Sequence, residues 1–239
     1  MKLDILAFAA HPDDVELGCS GTLIKHQQSG LKTGVIDLTQ GELGTRGSAL
    51  IRAHEAAHAS KILQLSAREN LGFADGFFKN DQDHLLPIIQ KIRKFTPEII
   101  LANAVEDRHP DHGRAAKLVA DACFYAGLIK IRTLDEHGAD QKAWRPKALY
   151  HYIQYNYIKP DFVIDISTEI DTKINAVLAY SSQFYDPDSN EPETPISSMA
   201  FLNGLKERAS DLGRMIGVKY AEGFTTSRLL GINRLTDLI

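Results

Sequence analysis

The sequence predicts an α/β fold in which a mostly parallel sheet carries helices on both faces. Three observations support this. Short apolar runs of strand length alternate with stretches of helical period several turns long, which is the pattern of βα units. Turn and capping residues such as His11-Pro12, Gly30 and Thr96-Pro97 mark the borders between them. No internal repeat, low-complexity tract or linker divides the chain, so residues 1–239 read as one domain.

Each element has its own justification. Residues 3–9 are apolar except for Asp4 and close on His11-Pro12, so they read as a buried strand; residues 15–29 then carry apolar side chains at helical intervals and stop before Gly30. Residues 31–39 read as a second strand. Gly41-Glu42-Leu43-Gly44-Thr45-Arg46-Gly47 holds three glycines in seven residues, a loop able to bring its backbone close to a ligand. Ser48 is placed to cap a helix running to about residue 65. A helix is expected over 83–95, and a strand over 98–103, where Ile99, Ile100 and Leu101 lie between polar borders. Helical period returns over 111–126, and residues 147–153 and 161–166 read as later strands. Ser167 or Thr168 is expected to cap a helix to about residue 180, with Asp171 in capping-box position relative to Thr168. Segment 186–195 has three prolines and four acids in ten residues, so a solvated loop is expected, serving as a lid or a subunit contact.

Composition narrows the function. Lys and Arg number 27 against 31 Asp and Glu, a formal charge of −4. No broad positive field is therefore available to collect a nucleic-acid backbone. The apolar start is broken by Asp4 and ends at His11, too short for a signal-peptide core or a membrane span. Cys19 and Cys123 are distant and lack any CxxC spacing, as in a chain kept reduced in the cytoplasm. The expectation is a cytoplasmic protein acting on a small molecule, with neither nucleic acid nor membrane as partner.

Two segments share one chemistry. His11-Pro12-Asp13-Asp14 follows the first strand, and Arg108-His109-Pro110-Asp111-His112 follows the strand over 98–103. If those strands are neighbours in a parallel sheet, both loops open on one edge and their side chains converge. Imidazoles with carboxylates are the ligand set of a zinc-like site, and a catalytic zinc keeps a position open to water. Taking His11, Asp14 and His112 as the ligands leaves His109, Asp13 and Asp111. Asp13 suits proton removal from water, His109 suits donation to an oxyanion or leaving amine, and Asp111 is close enough in sequence to raise the His109 pKa. A helix entry alone would also place Pro and Asp in each segment, but not the paired imidazoles. His54-Glu55-Ala56-Ala57-His58 matches H-E-x-x-H, yet Lys61 and Gln64 occupy the positions where an extended peptidase motif wants Gly and His. His54 and His58 are therefore expected to be surface or packing residues. A non-catalytic sugar- or nucleotide-binding module is disfavoured as well, because no Gly-rich turn follows the first strand, and Gly18 and Gly21 fall inside the helix.

His11-Pro12-Asp13-Asp14 with Glu16, the 41–47 loop, Arg52-x-x-Glu55, Asn70-Leu71-Gly72 and Arg108-His109-Pro110-Asp111-His112 together resemble the LmbE-like (PIG-L) zinc-dependent N-acetylglucosamine deacetylases. The similarity runs from residue 3 to about residue 185 and is greatest to the bacillithiol biosynthesis deacetylases, which remove acetate from N-acetylglucosaminyl malate. The resemblance implies a Rossmann-like sheet and one Zn2+ per chain, with Fe2+ as the alternative. It places metal ligands at His11, Asp14 and His112, a general base at Asp13, and a protonated histidine at His109 partnered by Asp111. Arg52 would hold sugar hydroxyls, and Arg108 the same pocket or a substrate carboxylate. The implied substrate is an amino-sugar conjugate, the malate conjugate first and another GlcNAc conjugate or a chitooligosaccharide as alternatives. A homo-oligomer is implied too, a hexamer being one such form. One departure stands out: mycothiol-pathway relatives carry tyrosine two residues before the histidine matching His109, where this chain has Asp107. That moves the acid role to His109, and Tyr185 is expected to stay outside the site.

Overall fold

The computed structural model describes residues 1–238. Its elements are β1 (Ile5–Ala9), α1 (Asp14–Gln28), β2 (Thr33–Thr39), α2 (Ala49–Ile62), β3 (Ala67–Phe73), α3 (Gln82–Phe95) and β4 (Ile99–Ala102). There follow α4 (Pro110–Ala126), β5 (Ala148–Tyr152), β6 (Phe162–Asp165), α5 (Ile170–Leu178), α6 (Met199–Arg214) and β7 (Ala221–Thr225). Among the described residues the strands form one sheet in the order β3-β2-β1-β4-β5-β7-β6. β1 pairs in parallel with β2 and β4, β2 with β3 and β4 with β5, while β7 runs antiparallel to β5 and β6. The expected mostly parallel α/β architecture is therefore present, with an antiparallel insertion near one edge.

The pleat of β1 explains the two-sided core. Leu6 and Phe8 point to one face and pack with Ile88 and Ile92 of α3 and Leu118 and Val119 of α4. Ile5, Ala7 and Ala9 point to the other, against Val15, Cys19 and Leu23 of α1. Charge inside β2 and β3 is compensated locally. Arg68 grips Asp37 through two bonds of 2.8 and 2.9 Å, and a third donor reaches Glu16 of α1.

Ser48 caps α2 as expected, its hydroxyl accepting from the Ile51 N–H at 3.3 Å. The expected cap of α5 is not found. That helix starts at Ile170 with Glu169 at its N-cap and no side-chain cap bond, because Ser167 donates to Asp165 and Thr168 to Glu169 instead. β3, α6 and β7 were not foreseen from sequence. Segment 186–195 is an irregular connection tied back at Arg46, which donates to the Ser189 hydroxyl, and at the Gly47 N–H, 3.3 Å from Glu191 Oε1.

The strand order reverses at β1, whose neighbours lead to opposite edges of the sheet. The crevice beyond the carboxyl ends of β1 and β4 is thus the topological switch point where open α/β sheets gather ligands. His11 emerges from β1 into it, and residues 103–112 emerge from β4.

Candidate active site

The backbone at the end of β1 is committed to this crevice. Asp13 sits at the N-cap of α1 with φ of 115°, a left-handed conformation that costs a non-glycine residue energy and is retained where function requires it. Its side chain makes no cap bond. Instead the buried carboxylate accepts from Arg52 Nη2 at 3.0 Å. Across the crevice Pro110 begins α4, and His109 caps it, its Nδ1 accepting from the Asp111 N–H at 3.2 Å.

Asp14 is the hub. Its Oδ1 lies 3.0 Å from His112 Nε2, and its Oδ2 lies 3.6 Å from His11 Nδ1. Each imidazole has its other nitrogen on a second carboxylate: His112 Nδ1 donates to Asp107 at 2.6 Å, and His11 Nε2 donates to Asp75 at 3.0 Å. Such outer carboxylates fix tautomer and ring direction in carboxylate–histidine–metal arrangements, leaving the inner nitrogens to converge on the ion. Ring nitrogens of His11, His109 and His112 also come within 4.8 Å of one another, as do donor atoms of His11, Asp75 and Asp111. This largely buried set of nitrogen and oxygen donors suits a divalent metal ion.

The electrostatics follow from that packing. Burial opposes charge on His112, but Asp14 and Asp107 outweigh it and push its pKa up to about 9. Against the same opposition, Asp111, Asp14 and Asp75 hold His11 well above the usual imidazole value. Asp14 is held well below the usual carboxylate range by His112 and His11 despite burial. Burial drives Asp13 up to about 7, against the pull of Arg52 and with help from Asp14.

His109 departs from expectation. Burial and the neighbouring His11 and His112 lower its pKa, and Asp111 only partly offsets them. The reason is geometric. The Asp111 carboxylate is engaged by Arg114 and by the Gly76 N–H at 2.8 Å, and lies 3.4 Å from His11 Nε2, so it does not orient the His109 ring. A backbone N–H can only donate, so His109 Nδ1 is unprotonated and the neutral ring carries its hydrogen on Nε2.

Arg52 is buried, and its Nη2 also donates to Gln183 Oε1 at 2.8 Å. A Cβ on Gly41 would fall 1.7 Å from Arg52 Nη1, so this glycine serves the close approach of the guanidinium. Arg108 is exposed and stacks 4.8 Å over the Tyr155 ring. Both arginines line one cavity of about 760 Å³ together with His11, Asp13, Asp14 and His112. Glu193, Thr194 and Pro195 of the acidic segment form part of its wall, and Tyr185 is not among its lining residues.

His54 and His58 are exposed on α2, and among the described residues neither joins a cluster of candidate ligands. Glu55 between them turns inward to accept from the Ser182 N–H at 2.7 Å and from the Ser182 hydroxyl at 2.8 Å. Sequence reasoning missed Asp75, Asn103 and Gln154, and did not see Asp107 as a partner of His112. Gln154 Nε2 donates to Asp14 Oδ1 at 2.8 Å, and Asn103 Nδ2 donates to Asp14 Oδ2 at 3.0 Å and to Gln154 Oε1 at 3.0 Å. Asp75 is fixed by the Leu43 N–H at 3.0 Å, which ties the glycine-rich loop to His11. Asn103, at the end of the strand over 98–103, was the one with a positional cue.

Comparison with known proteins identifies the family. Residues 6–123 match the family described as PIG-L, GlcNAc-PI de-N-acetylase. Diacetylchitobiose deacetylase of Thermococcus kodakarensis is 30% identical over 92% of this chain and 81% of its own length. The probable N-acetyl-alpha-D-glucosaminyl L-malate deacetylase 2 of Bacillus subtilis is 26% identical over 77% of this chain and 84% of its own. The crystal structure of the conserved protein TT1542 from Thermus thermophilus superposes with a TM-score of 0.83 at 37% identity, covering 97% of this chain and 98% of that one. By these likenesses the chain belongs to the PIG-L/LmbE family of hydrolytic N-deacetylases.

Proposed function

We propose that the chain removes acetate from an N-acetylglucosaminide, with zinc held by His11, Asp14 and His112 and iron as the alternative metal. One observation carries this reading: two imidazoles flank Asp14, each backed by its own outer carboxylate, with Asp13 lining the same cavity. A divalent ion bound there supplies Lewis-acid activation of the water and of the acetyl carbonyl. Asp13 accepts the proton as the water oxygen bonds to the acetyl carbon. Arg52 holds Asp13 in place and, lining the cavity, is assigned to the sugar hydroxyls. His109 presents its Nε2–H to the carbonyl oxygen as negative charge gathers there, and a neutral imidazole suffices for that donation. The C–N bond then breaks, the nitrogen takes the proton that Asp13 carries, and acetate and a free amino sugar leave.

The malate conjugate is supported by the activity named for the Bacillus relative and by Arg108, an exposed cation in the cavity lining, a chitooligosaccharide by that named for the Thermococcus relative. Two free, buried cysteines support a reducing compartment such as the cytoplasm, and among the described residues no helix is long and apolar enough to cross a membrane. Exposed Leu50, Phe77, Leu229 and Leu235 support a homo-oligomer. The test is Asp13→Asn: metal content should stay at the parent level while acetate release falls by roughly 10²–10⁴-fold. Loss of metal with preserved turnover would overturn the roles assigned to Asp13 and Asp14.

A further inference from the structure

The H-E-x-x-H match on α2 leaves one residue without a task. His54 and His58 are exposed, whereas Arg52, Glu55, Ala56 and Ala59 are the buried residues of that helix. These four recur at i, i+3, i+4 and i+7, so Arg52 and Glu55 stand about one turn apart on the inner face. The peptidase geometry is inverted, with the carboxylate turned inward and the imidazoles outward. A buried carboxylate is unfavourable unless its oxygens are met, and both Glu55 oxygens are met by one turn, residues 181–183.

From Glu55 a chain of hydrogen bonds runs to the reaction site, and the direction of each is fixed. Glu55 Oε1 accepts from the Ser182 N–H at 2.7 Å, and Oε2 accepts from the Ser182 hydroxyl at 2.8 Å. That hydroxyl has a single hydrogen, so towards Gln183 it can only accept, and Gln183 Nε2 donates to it at 2.8 Å. The second Nε2 hydrogen goes to the Arg46 carbonyl, also at 2.8 Å. Gln183 Oε1 is left facing Arg52, whose Nη2 donates to it at 2.8 Å and to Asp13 Oδ2 at 3.0 Å. With the amide turned over, its NH2 would meet the guanidinium donor against donor. The glycine-rich loop is shaped around this chain. A Cβ on Gly47, at φ +69°, would fall 2.7 Å from Ser182 Oγ and 3.3 Å from Gln183 Nε2, the counterpart of Gly41 beside Arg52. Tyr180 and Phe184, on either side of the turn, are fully buried in one cluster with Ala56 and Ala59 of α2, so the turn is fastened to the helix that carries Glu55.

We propose that Glu55 and Gln183 are positioning residues for the reaction: through Ser182, Glu55 fixes the place and polarity of the Gln183 amide, and that amide holds the Arg52 guanidinium on Asp13. The inference rests on the deacetylase reading, in which Asp13 takes the proton from water. Glu55 acts at a distance, since it is not among the residues lining the cavity. Gln183 supplies the second acceptor that Nη2 needs. Asp13 alone would leave the guanidinium free to pivot about one bond, because among the described residues its one further bond is the long one from Nη1 to the Gly41 carbonyl, 3.4 Å.

The test pairs kinetics with a crystal structure. Gln183→Met keeps the side-chain volume and removes the acceptor and both donors. Acetate release, from whichever of N,N'-diacetylchitobiose and N-acetylglucosaminyl malate the parent turns over, should fall in kcat/KM by roughly 10–100-fold at parent metal content. In an Arg52→Met background the same change should cost less than about twofold, because Gln183 acts through Arg52. Glu55→Gln keeps an acceptor for the Ser182 N–H and should lie between the parent and Glu55→Met. Equal losses from Gln183→Met in the two backgrounds would overturn the proposal, as would Glu55→Gln falling as far as Glu55→Met. The crystal structure of Gln183→Met is read without activity, and in it Arg52 Nη2 should stand beyond about 3.5 Å from Asp13 Oδ2. A guanidinium still bonded to Asp13 refutes the positioning role whatever the kinetics. A displaced guanidinium, in a protein whose parent releases acetate from neither substrate, supports the positioning role and rejects the deacetylase reading alone.

Discussion

Replacing Asp107 by asparagine probes the outer carboxylates without touching a proposed ligand. The Asp107 side chain is 1% exposed; one oxygen accepts from His112 Nδ1 at 2.6 Å and the other from the Asn156 N–H at 2.6 Å. Asparagine keeps the volume but has a single acceptor, so one of those two N–H groups is left facing an amide N–H, and the charge on the bond to His112 is gone. Losing a hydrogen bond to a charged group costs about 1.5–3 kcal/mol. Loss of such an outer partner usually weakens metal binding by about 10–100-fold, or roughly 1.4–2.7 kcal/mol, so the two routes agree. The assay is zinc titration of metal-stripped protein against a chromophoric chelator. The expected result is a Kd raised within that range, with an unchanged circular dichroism spectrum. A Kd within twofold of the parent would refute the view that Asp107 aims His112 at a metal.

Two further outcomes are expected. Because Asp14 and Asp107 outweigh burial and raise the folded pKa of His112 from 6.5 to about 9, its contribution to stability is fully present below 6.5 and is lost as pH rises through about 9. The thermal midpoint of metal-stripped protein should therefore fall between pH 6.5 and 9 while zinc affinity rises, since the metal displaces a proton; parallel melts and chelator titrations would expose a flat profile. Lys173→Met strands the buried Glu222 carboxylate and should cost about 3–5 kcal/mol in urea denaturation. Glu222→Gln in the same background should recover part of that loss, and an undiminished urea midpoint for Lys173→Met alone would show that the pair is not structurally required.

Legibility in the sequence tracked local pattern. β1, β2 and β4 are apolar runs buried in the sheet, and their position could be read from short apolar stretches between polar or turn-forming borders. β3 reads Ala67-Arg68-Glu69-Asn70-Leu71-Gly72-Phe73, an edge strand whose charges are satisfied by Asp37, Glu16 and lysines across space, so its pairing was invisible to a one-dimensional reading. β7 carries Gly223 and owes its place to pairing with β5 and β6. α6 carries an amphipathic pattern, but it follows closely on the proline-rich acidic segment, whose loop-forming composition obscures where the helix starts. At the site, His11, Asp13, Asp14, His109 and His112 stood out because they cluster in two short motifs. Asp75, Gln154 and the pairing of Asp107 did not, since each is a single polar residue whose meaning exists only in its distance to an imidazole or to Asp14. The His109 pKa was misjudged for the same reason: adjacency in sequence to Asp111 says nothing of where that carboxylate points.

The central claim is that a metal held at Asp14 by the imidazoles of His11 and His112 serves amide hydrolysis. Metal analysis of purified parent, His11→Ala and His58→Ala proteins, paired with acetate release from an N-acetylglucosaminide, tests it most directly. The expected result is stoichiometric zinc or iron in the parent and in His58→Ala, and loss of both metal and acetate release in His11→Ala. Acetate release that survives in metal-free His11→Ala, or metal that leaves with His58→Ala instead, would contradict it.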